Sequence, residues 1–470
     1  QVGSDILGSQ AATNLGISVD CSHDGTRIIT GSYQTSSSPV GEVRVYDWNG
    51  STWTQIGNTI TGGQSSPTQG YLGYTVAISG DGSTIAAGAP FEDPDSNTDR
   101  GVVRVFYLNG ATWTILPDSG SETTNIGTNS SSLRNDVFVG SSNSDQLGRQ
   151  GLKLSYDGKT ILMTARNYDD ATAGSDSGQA RIYTYSNGAW SKKGDFLIGS
   201  ADDHLGYAAD MSEDGNCIIL GGHNGTDDNA WIYIWDGSSW VNRGASGTNP
   251  AFTRTDQDAF GQAVAINNDG TVIAFGMVNS DIADGALSDN GGTVQVYHWS
   301  GSAWVLKGTL NNKDNTDDEF GSSVNLSGDG KRIIVGARDD STTSANNGRL
   351  YTFEYDGSTW VRREPYTSIG ISSTVGDDTE IGHTPRCVAI SRDGSAIVSG
   401  EFRFNSSNGS DSGRVRIFSM PSKFETRTYE IKSVVFGASY RKRLATARVK
   451  RSSRLTFAIR TNRFLRYIEL

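Results

Sequence analysis

The sequence contains little cysteine, little proline and no long apolar run, and each shortage excludes a class of protein. Three cysteines in 470 residues cannot form a disulfide framework, and no two have the close spacing of a zinc or redox site. Nine prolines are too few for a proline-rich or collagen-like chain. No segment approaches the roughly 18 consecutive apolar residues of a membrane helix. We therefore expect a folded chain with three free thiols and no membrane span.

Glycine, in contrast, is abundant. The chain has 58 glycines, about 12% of all residues against an average near 7%. Because proline is scarce, these glycines are expected to serve tight turns rather than a flexible linker. A high density of turns favours a β-rich fold.

The charge is divided between two regions. Residues 1–423 hold 28 Lys/Arg and 49 Asp/Glu, whereas residues 424–470 hold 12 Lys/Arg and 3 Asp/Glu. The larger region is thus strongly acidic and the smaller one basic. An acidic body argues against binding of nucleic acid by that body, because phosphate contacts need clustered Lys and Arg.

An Asp-Gly pair recurs seven times along the acidic region. Two apolar residues, two positions apart, precede each pair, and a second apolar stretch follows it, so each pair lies between two strands. Asp-Gly favours the positive φ of a tight hairpin. The pairs are spaced by 55 to 76 residues and are Asp24-Gly25, Asp81-Gly82, Asp157-Gly158, Asp214-Gly215, Asp269-Gly270, Asp329-Gly330 and Asp393-Gly394.

A third and a fourth strand follow each hairpin. The third strand is an alternating apolar stretch such as 41–46 or 292–297. The fourth carries a tryptophan after a glycine turn in six of the seven units, at Trp53, Trp113, Trp190, Trp240, Trp304 and Trp360. One repeated position favours packing over sugar stacking for these rings. A four-stranded unit repeated seven times predicts an all-β, seven-bladed β-propeller over residues 1–423, with a short basic, β-rich extension over 424–470.

The seventh unit lacks its tryptophan strand. The first residues, 1–6, match the stretch that follows Trp53, so the N-terminus carries an orphan fourth strand. We expect residues 1–8 to complete blade seven, with Val2–Ile6 paired to the strand that contains Val415 and Ile417. Such closure removes an exposed sheet edge and ties down a terminus.

Dipeptides at the start of the units carry a family resemblance. Phe260-Gly261 and Phe320-Gly321 open two units, Leu-Gly pairs open four others, and Gly336-Ala337 closes a second strand. The pattern resembles the FG-GAP repeat of integrin-α-like propellers, in the divergent, tryptophan-bearing form of surface and virion proteins. The resemblance covers about residues 1–420 and implies the propeller fold. It leaves the role open, because propellers serve in adhesion, in sugar binding, in catalysis and as scaffolds.

The two faces of such a ring differ. Turns between strands one and two, and between three and four, lie on one face, here called the hairpin face. Turns between strands two and three, and the links between blades, lie on the other, here called the loop face. The loop face holds the length variation and many carboxylates, so we expect any ligand there. The candidate ligand residues are Asp93, Asp95, Asp99, Asp169, Asp170, Asp339 and Asp340.

Calcium is the cofactor that these carboxylates suggest, since it takes several oxygen ligands from one short loop. The integrin-type Asp-x-Asp-x-Asp-Gly loop is absent. The spacing of Asp93, Asp95, Asn97 and Asp99 is the best substitute, but it lacks a glycine turn and a closing Glu. We therefore predict no metal and no cofactor, with Ca²⁺ at these residues as the alternative.

No residue set points to catalysis. The five histidines lie in different units without a metal-binding spacing. A glycosidase needs two carboxylates about 5–10 Å apart, and nothing in the sequence selects such a pair, so we predict a protein that is not an enzyme. Sequons at Asn129, Asn224 and Asn405 are candidate glycosylation sites. The sequon at Asn325 falls on a first strand and is expected to be buried.

The basic segment 424–470 has aromatic and β-branched residues in strand-like alternation. At about 47 residues it is too short for a convincing core of its own, so we expect it to dock, through β-augmentation, on another surface. A neighbouring subunit or protein partner is favoured over its own acidic propeller, and nucleic acid is the least favoured. The candidate docking residues are Arg441, Lys442, Arg443, Arg448, Lys450, Arg451 and Arg454.

These observations favour a non-enzymatic surface or structural propeller that mediates protein–protein or adhesive contacts in an extracellular structure, on a cell surface or in a virion. The alternative is a propeller that binds or cleaves carbohydrate, for which a glycan is the partner. Neither the ligand nor the partner is specified by the sequence.

Overall fold

The structure is a computed structural model. It describes residues 1–33, 41–62, 70–93, 98–116, 137–224, 228–244, 249–254, 258–280, 291–311, 318–339, 348–363 and 386–420, and the backbone of two strands within 456–469. The described residues divide between two units, Gln1–Ser419 and Met420–Leu470.

Unit Gln1–Ser419 is a seven-bladed β-propeller with antiparallel blades of four main strands. The first strands of consecutive blades lie side by side around a central channel, and that of blade 7 lies beside that of blade 1. The predicted fold class and blade count are confirmed. No helix, and hence no helix able to cross a membrane, occurs among the described residues.

The strands follow one another blade by blade. Strand β1 (Ile6–Leu7) precedes blade 1. Blade 1 has β2 (Leu15–Cys21), β3 (Arg27–Ser32), β4 (Glu42–Trp48), β5 (Trp53–Gln55) and β6 (Ile60–Thr61). Blade 2 has β7 (Thr75–Ile78), β8 (Thr84–Ala89), β9 (Val102–Asn109), β10 (Thr112–Ile115) and β11 (Phe138–Val139). Blade 3 has β12 (Leu152–Leu154), β13 (Thr160–Ala165), β14 (Gln179–Ser186), β15 (Ala189–Lys192) and β16 (Leu197–Ile198).

The remaining blades continue the order. Blade 4 has β17 (Ala208–Met211), β18 (Cys217–His223), β19 (Asp228–Trp235), β20 (Trp240–Asn242) and β21 (Phe252–Arg254). Blade 5 has β22 (Ala263–Ile266), β23 (Val272–Met277), β24 (Thr293–Trp299) and β25 (Trp304–Leu310). Blade 6 has β26 (Phe320–Leu326), β27 (Arg332–Ala337), β28 (Arg349–Tyr355) and β29 (Trp360–Arg362). Blade 7 has β30 (Val388–Ile390), β31 (Ala396–Glu401) and β32 (Arg414–Ser419).

The N-terminal strand completes blade 7, as predicted. Strand β1 pairs antiparallel with β32, with Ile6 opposite Val415, and the N–H of Val2 donates to the carbonyl of Ile417 at 2.7 Å. Asp5 lies 3.4 Å from Arg414 in an ion pair. The ring is therefore closed by strand pairing and by charge between its two ends.

Close backbone approach between blades explains a recurring glycine. A Cβ on Gly400 of blade 7 would lie 2.0 Å from the carbonyl oxygen of Gly16 in blade 1, so no larger residue fits without movement. Blade 3 has Thr164 at the equivalent position. There the hydroxyl donates to the carbonyl of Gly206 at 2.8 Å, which replaces the close approach by a hydrogen bond.

Apolar side chains of adjacent blades form the core. One cluster, for example, joins Val296 of blade 5 to Phe320 and Val335 of blade 6. The three cysteines, Cys21, Cys217 and Cys387, are buried and form no disulfide, which confirms the expected free thiols. Burial raises the pKa of the Cys217 thiol to about 12.

Unit Met420–Leu470 is described only by two strands. Strand β33 (Thr456–Thr461) pairs antiparallel with β34 (Phe464–Glu469), with Phe457 opposite Ile468. Strand β33 overlaps one of the segments whose alternation indicates a strand. The seven candidate docking residues between Arg441 and Arg454 lie outside the described residues, so their role stays a prediction.

Candidate functional site

The candidate ligand carboxylates belong to separate loops. Asp93 follows the second strand of blade 2 and accepts a hydrogen bond from the N–H of Asp99 at 2.5 Å. Asp169, after the second strand of blade 3, accepts from the N–H of Asp176 at 2.8 Å. These carboxylates hold the turns of their own loops. Asp339 begins the corresponding loop of blade 6, while Asp95 and Asp340 lie outside the described residues.

Asp170, like Asp169, stabilises a turn of its own loop. Its Oδ1 accepts from the N–H groups of Thr172 and Ala173, both at 2.9 Å, and these hydrogen bonds lower the pKa of the carboxyl. Among the residues that the structure describes, no three His, Cys, Asp or Glu side chains are placed to hold a metal ion. The prediction of no metal, and the alternative of calcium at Asp93, Asp95 and Asp99, stay untested, because residues 94–97 are not described.

Two candidate sequons lie on described loops. The side-chain nitrogen of Asn224 donates to the carbonyl of Asp202 at 2.8 Å, and Asn405 is exposed and accepts from the N–H of Asp411 at 2.8 Å. Asn129 lies outside the described residues. Asn325 is half-buried rather than fully buried, because it lines the central channel.

The repeated tryptophans hold neighbouring blades together. The indole nitrogen of Trp113 in blade 2 donates to the carbonyl of Ile56 at 3.1 Å, and that of Trp304 in blade 5 donates to the carbonyl of Arg243 at 3.1 Å. Each ring thus packs on the chain that leaves the preceding blade. The expected packing role is confirmed for these rings, which are not presented as sugar platforms.

The hairpin-face end of the central channel, here called the floor, is closed. In each blade the residue before the Asp-Gly pair lies at the end of the hairpin that borders the axis. The seven residues are His23, Gly80, Tyr156, Glu213, Asn268, Gly328 and Arg392. Main-chain hydrogen bonds join neighbouring hairpins, such as the N–H of Tyr156 to the carbonyl of Glu213 at 2.7 Å.

Side-chain hydrogen bonds close the floor between blades 4 and 5. Glu213 of blade 4 accepts from the Asn268 side chain of blade 5 at 2.5 Å. Its other oxygen lies 2.6 Å from Nδ1 of His23 in blade 1. One carboxylate therefore links three blades across the axis.

The middle of the channel is narrow and its charges are paired. The cavity between the first strands encloses about 30 Å³, space on the scale of one or two water molecules. Asp210 accepts from the N–H of Ile266 in the next blade at 2.9 Å. The same carboxylate lies 3.5 Å from the side chains of both Lys153 and Arg392.

The loop-face end of the channel, here called the mouth, is formed by the residues that follow the Phe-Gly or Leu-Gly pairs and by their equivalent in blade 7. They are Ile17, Tyr74, Arg149, Tyr207, Gln262, Ser322 and Arg386. The guanidinium of Arg386 lies 4.0 Å from the centre of the Tyr74 ring. Its charge, with a smaller contribution from Arg149, lowers the pKa of the Tyr74 hydroxyl to about 8.

The mouth residues are not among the candidate site residues predicted from the sequence. A signal is present, because aligning six of the units on their opening glycine, and blade 7 on its first strand, places one residue of each blade at one level of the channel. Two arginines and two tyrosines among seven such positions are unusual for an acidic domain. These positions belong to no carboxylate or histidine motif.

The comparisons with known proteins identify the repeat. The FG-GAP repeat family matches residues 308–353, which contain the last strand of blade 5 and most of blade 6. The chain is a seven-bladed β-propeller in which one segment, residues 308–353, matches the FG-GAP repeat. No curated protein sequence matches it.

Solved structures resemble this propeller only distantly. A putative 6-phosphogluconolactonase from Bacteroides fragilis is 14% identical, with a TM-score of 0.46, over 79% of this chain and 86% of that chain. A putative 6-phosphogluconolactonase from Bacteroides uniformis is 12% identical, with a TM-score of 0.44, over 76% of this chain and 86% of that chain. Likenesses at this level carry no statement about activity.

Proposed function

We propose that the chain is a non-enzymatic propeller module of an extracellular structure, a cell surface or a virion, and that it binds protein partners through its loop face and its basic segment 424–470. The FG-GAP repeat supports this location, since such repeats are typical of extracellular proteins.

One observation carries the proposal. A ring closed on itself presents loops of variable length on one face, and the carboxylates of Asp93, Asp169 and Asp170 accept hydrogen bonds from N–H groups of their own loops. Protonation of such a carboxylate would weaken the turn that it holds, which makes it a poor general acid or base. Loops positioned by a rigid scaffold are suited to recognition.

The charge distribution supports the second contact surface. Residues 424–470 carry a net charge of +9, whereas residues 1–423 carry −21. Opposite charge guides association with acidic surfaces and is screened over about 8–10 Å at physiological ionic strength. The described hairpin β33–β34 offers strand edges that salt does not screen. We therefore expect association of the basic segment to weaken with salt without being abolished.

Sedimentation velocity of the full chain tests this proposal. We expect assemblies larger than one chain, and we expect a full-length variant with Arg441→Glu, Lys442→Glu and Arg443→Glu to sediment as a monomer. The control is Lys159→Glu with Lys331→Glu, a change of the same sign at exposed hairpin-face positions, which should leave assembly intact. A chain ending at residue 423 should give a folded monomer. Equal sedimentation of the wild type and the Arg441/Lys442/Arg443 variant would refute a contact through the basic segment.

A further inference from the structure

We propose that the mouth of the central channel binds a single oxyanion group, a phosphate or a carboxylate, through Arg149, Arg166 and Arg386. This site goes beyond the partner contacts proposed above and does not depend on them.

Arg386 is fixed at the centre of the mouth. From blade 7 its Nη1 donates to the carbonyl oxygen of Arg149 in blade 3 at 2.8 Å and to that of Tyr74 in blade 2 at 3.2 Å. Its Nε is buried and has no acceptor. The guanidinium is thus held in one position while part of its donor capacity is unused.

Arg149 and Arg166 come from blade 3; the carbonyl oxygen of Arg149 accepts from Arg386, and the Arg149 guanidinium lies 5.6 Å from the centre of the Phe91 ring. The Arg149 side chain donates to the Gln146 side chain. Arg166 donates to the side chain of Gln150 at 3.2 Å and lies 4.6 Å from the centre of the Tyr207 ring. Its Nε is likewise buried without an acceptor.

The partners of these three arginines are neutral groups. They are main-chain carbonyls, side-chain amides and aromatic rings, and within the described ranges none of the three arginines forms an ion pair with a carboxylate. Burial, and then the charge of Asp93, raises the pKa of Asp99, which Arg149 opposes, and no ion pair between Asp99 and Arg149 occurs among the described residues. Like charges gathered without a counter-ion are unfavourable, and the unfavourable energy is relieved when an anion joins them.

Arg338 of blade 6 provides the contrast. It follows its second strand at the position that Arg166 occupies in blade 3, two residues after the recurring glycine or Thr164. Arg338 forms an ion pair with Glu319. Burial lowers the pKa of Arg166, and the charge of Arg149 lowers it further. The same place in the repeat is therefore neutralised in blade 6 and left cationic in blade 3.

The chemistry and the space define the ligand. Guanidinium groups present planar pairs of donors that match the oxygens of phosphate and carboxylate. The channel below the mouth has room only for water-sized molecules, so a ligand of these arginines would be held at the entrance rather than inside the channel. The acidic body repels anions at long range, so selective binding requires these arginines.

Isothermal titration calorimetry of the full chain at constant ionic strength tests the proposal. Inorganic phosphate is titrated in one arm and acetate in the other, which distinguishes the two sources of the oxyanion. We expect saturable binding of at least one probe. Arg149→Gln and Arg166→Gln should each weaken it about tenfold, the loss of one charge-assisted hydrogen-bonding group. Arg338→Gln is the matched control and should bind as the wild type does.

The same data can overturn the proposal. It is wrong if neither probe shows saturable binding to the wild type. It is also wrong if Arg338→Gln weakens binding as much as Arg149→Gln and Arg166→Gln do, because the effect would then be one of net charge alone. Thermal unfolding of each variant shows whether it is folded, and Arg166→Gln, which leaves the main-chain contacts of Arg386 intact, serves if Arg149→Gln is unfolded.

Discussion

The floor and the mouth of the channel are both built from one residue of each blade, yet they use these residues differently. At the floor, neighbouring hairpins share main-chain hydrogen bonds, and Glu213 engages His23 and Asn268. At the mouth, Arg149 and Arg386 meet Tyr74 without a carboxylate partner. The floor has the features of a structural closure. Within the described residues no carboxylate neutralises the arginines of the mouth, which is a feature expected of a binding position.

Opening the ring should have the largest effect, because it disturbs both ends of the channel. Deletion of residues 1–8 removes the buried Ile6, the strand pairing of β1 and the ion pair between Asp5 and Arg414. These losses together predict a fall of about 5 kcal/mol or more in the free energy of unfolding. Urea denaturation of the full and shortened chains measures it. Equal midpoints would show that β1 does not stabilise the ring.

The floor should be the next most sensitive region. Glu213→Ala leaves the side chains of His23 and Asn268 without their acceptor at a site where Glu213 is only 16% exposed. We expect a loss of about 2–4 kcal/mol in the free energy of unfolding, since two hydrogen bonds to a carboxylate are removed. Glu213→Gln keeps the shape and one acceptor and should lose less. A Glu213→Ala chain as stable as the wild type would mean that the main-chain ring alone closes the floor.

The floor was more predictable from sequence than the mouth. The Asp-Gly pairs fix seven hairpins and their register, so the blade count, the tryptophan strands and the pairing of Val2–Ile6 with the Val415 strand followed from local patterns. The mouth depends on which side chains converge across the axis from blades 2, 3 and 7. Tyr74, Arg149 and Arg386 are far apart in sequence; alignment of the repeats places them at one level of the channel but does not indicate that their side chains meet.

We expect the mouth to affect the pH dependence of the free energy of unfolding more than its value at neutral pH. Tyr74 has a pKa of about 8 in the folded chain and about 10 when unfolded. Between these values the folded state has lost the proton and the unfolded state still binds it, so stability rises with pH across this window. Relative to Tyr74→Phe, the wild type should gain roughly 2 kcal/mol from pH 8 to pH 10.

Two measurements check this pH dependence. Urea denaturation of both chains at pH 7.5 and pH 10 gives the difference in stability, and the difference in ultraviolet absorbance between them follows the Tyr74 phenolate directly. An absorbance difference that titrates near pH 10 would contradict the influence of Arg386. Phosphate bound at the mouth should move the titration to higher pH, because it competes for the same positive charge.

Arg166→Met is expected to change stability least, and it tests the difference between floor and mouth most directly. Arg166→Met keeps the length and much of the apolar contact of the side chain with Tyr207 while removing a charge that burial and Arg149 disfavour. Replacement of an unpaired, half-buried cation by an apolar group of similar shape should change the free energy of unfolding by less than about 1 kcal/mol, or raise it.

Arg392→Met at the floor is the matched change, and it should destabilise the chain, because it breaks an ion pair with Asp210 and hydrogen bonds to the carbonyls of Ile266 and Met211. If both substitutions cost the same, the arginines at the two ends have the same structural use and the distinction between floor and mouth fails. If Arg166→Met is neutral in stability while oxyanion binding is weakened, Arg166 contributes to the ligand and not to the fold.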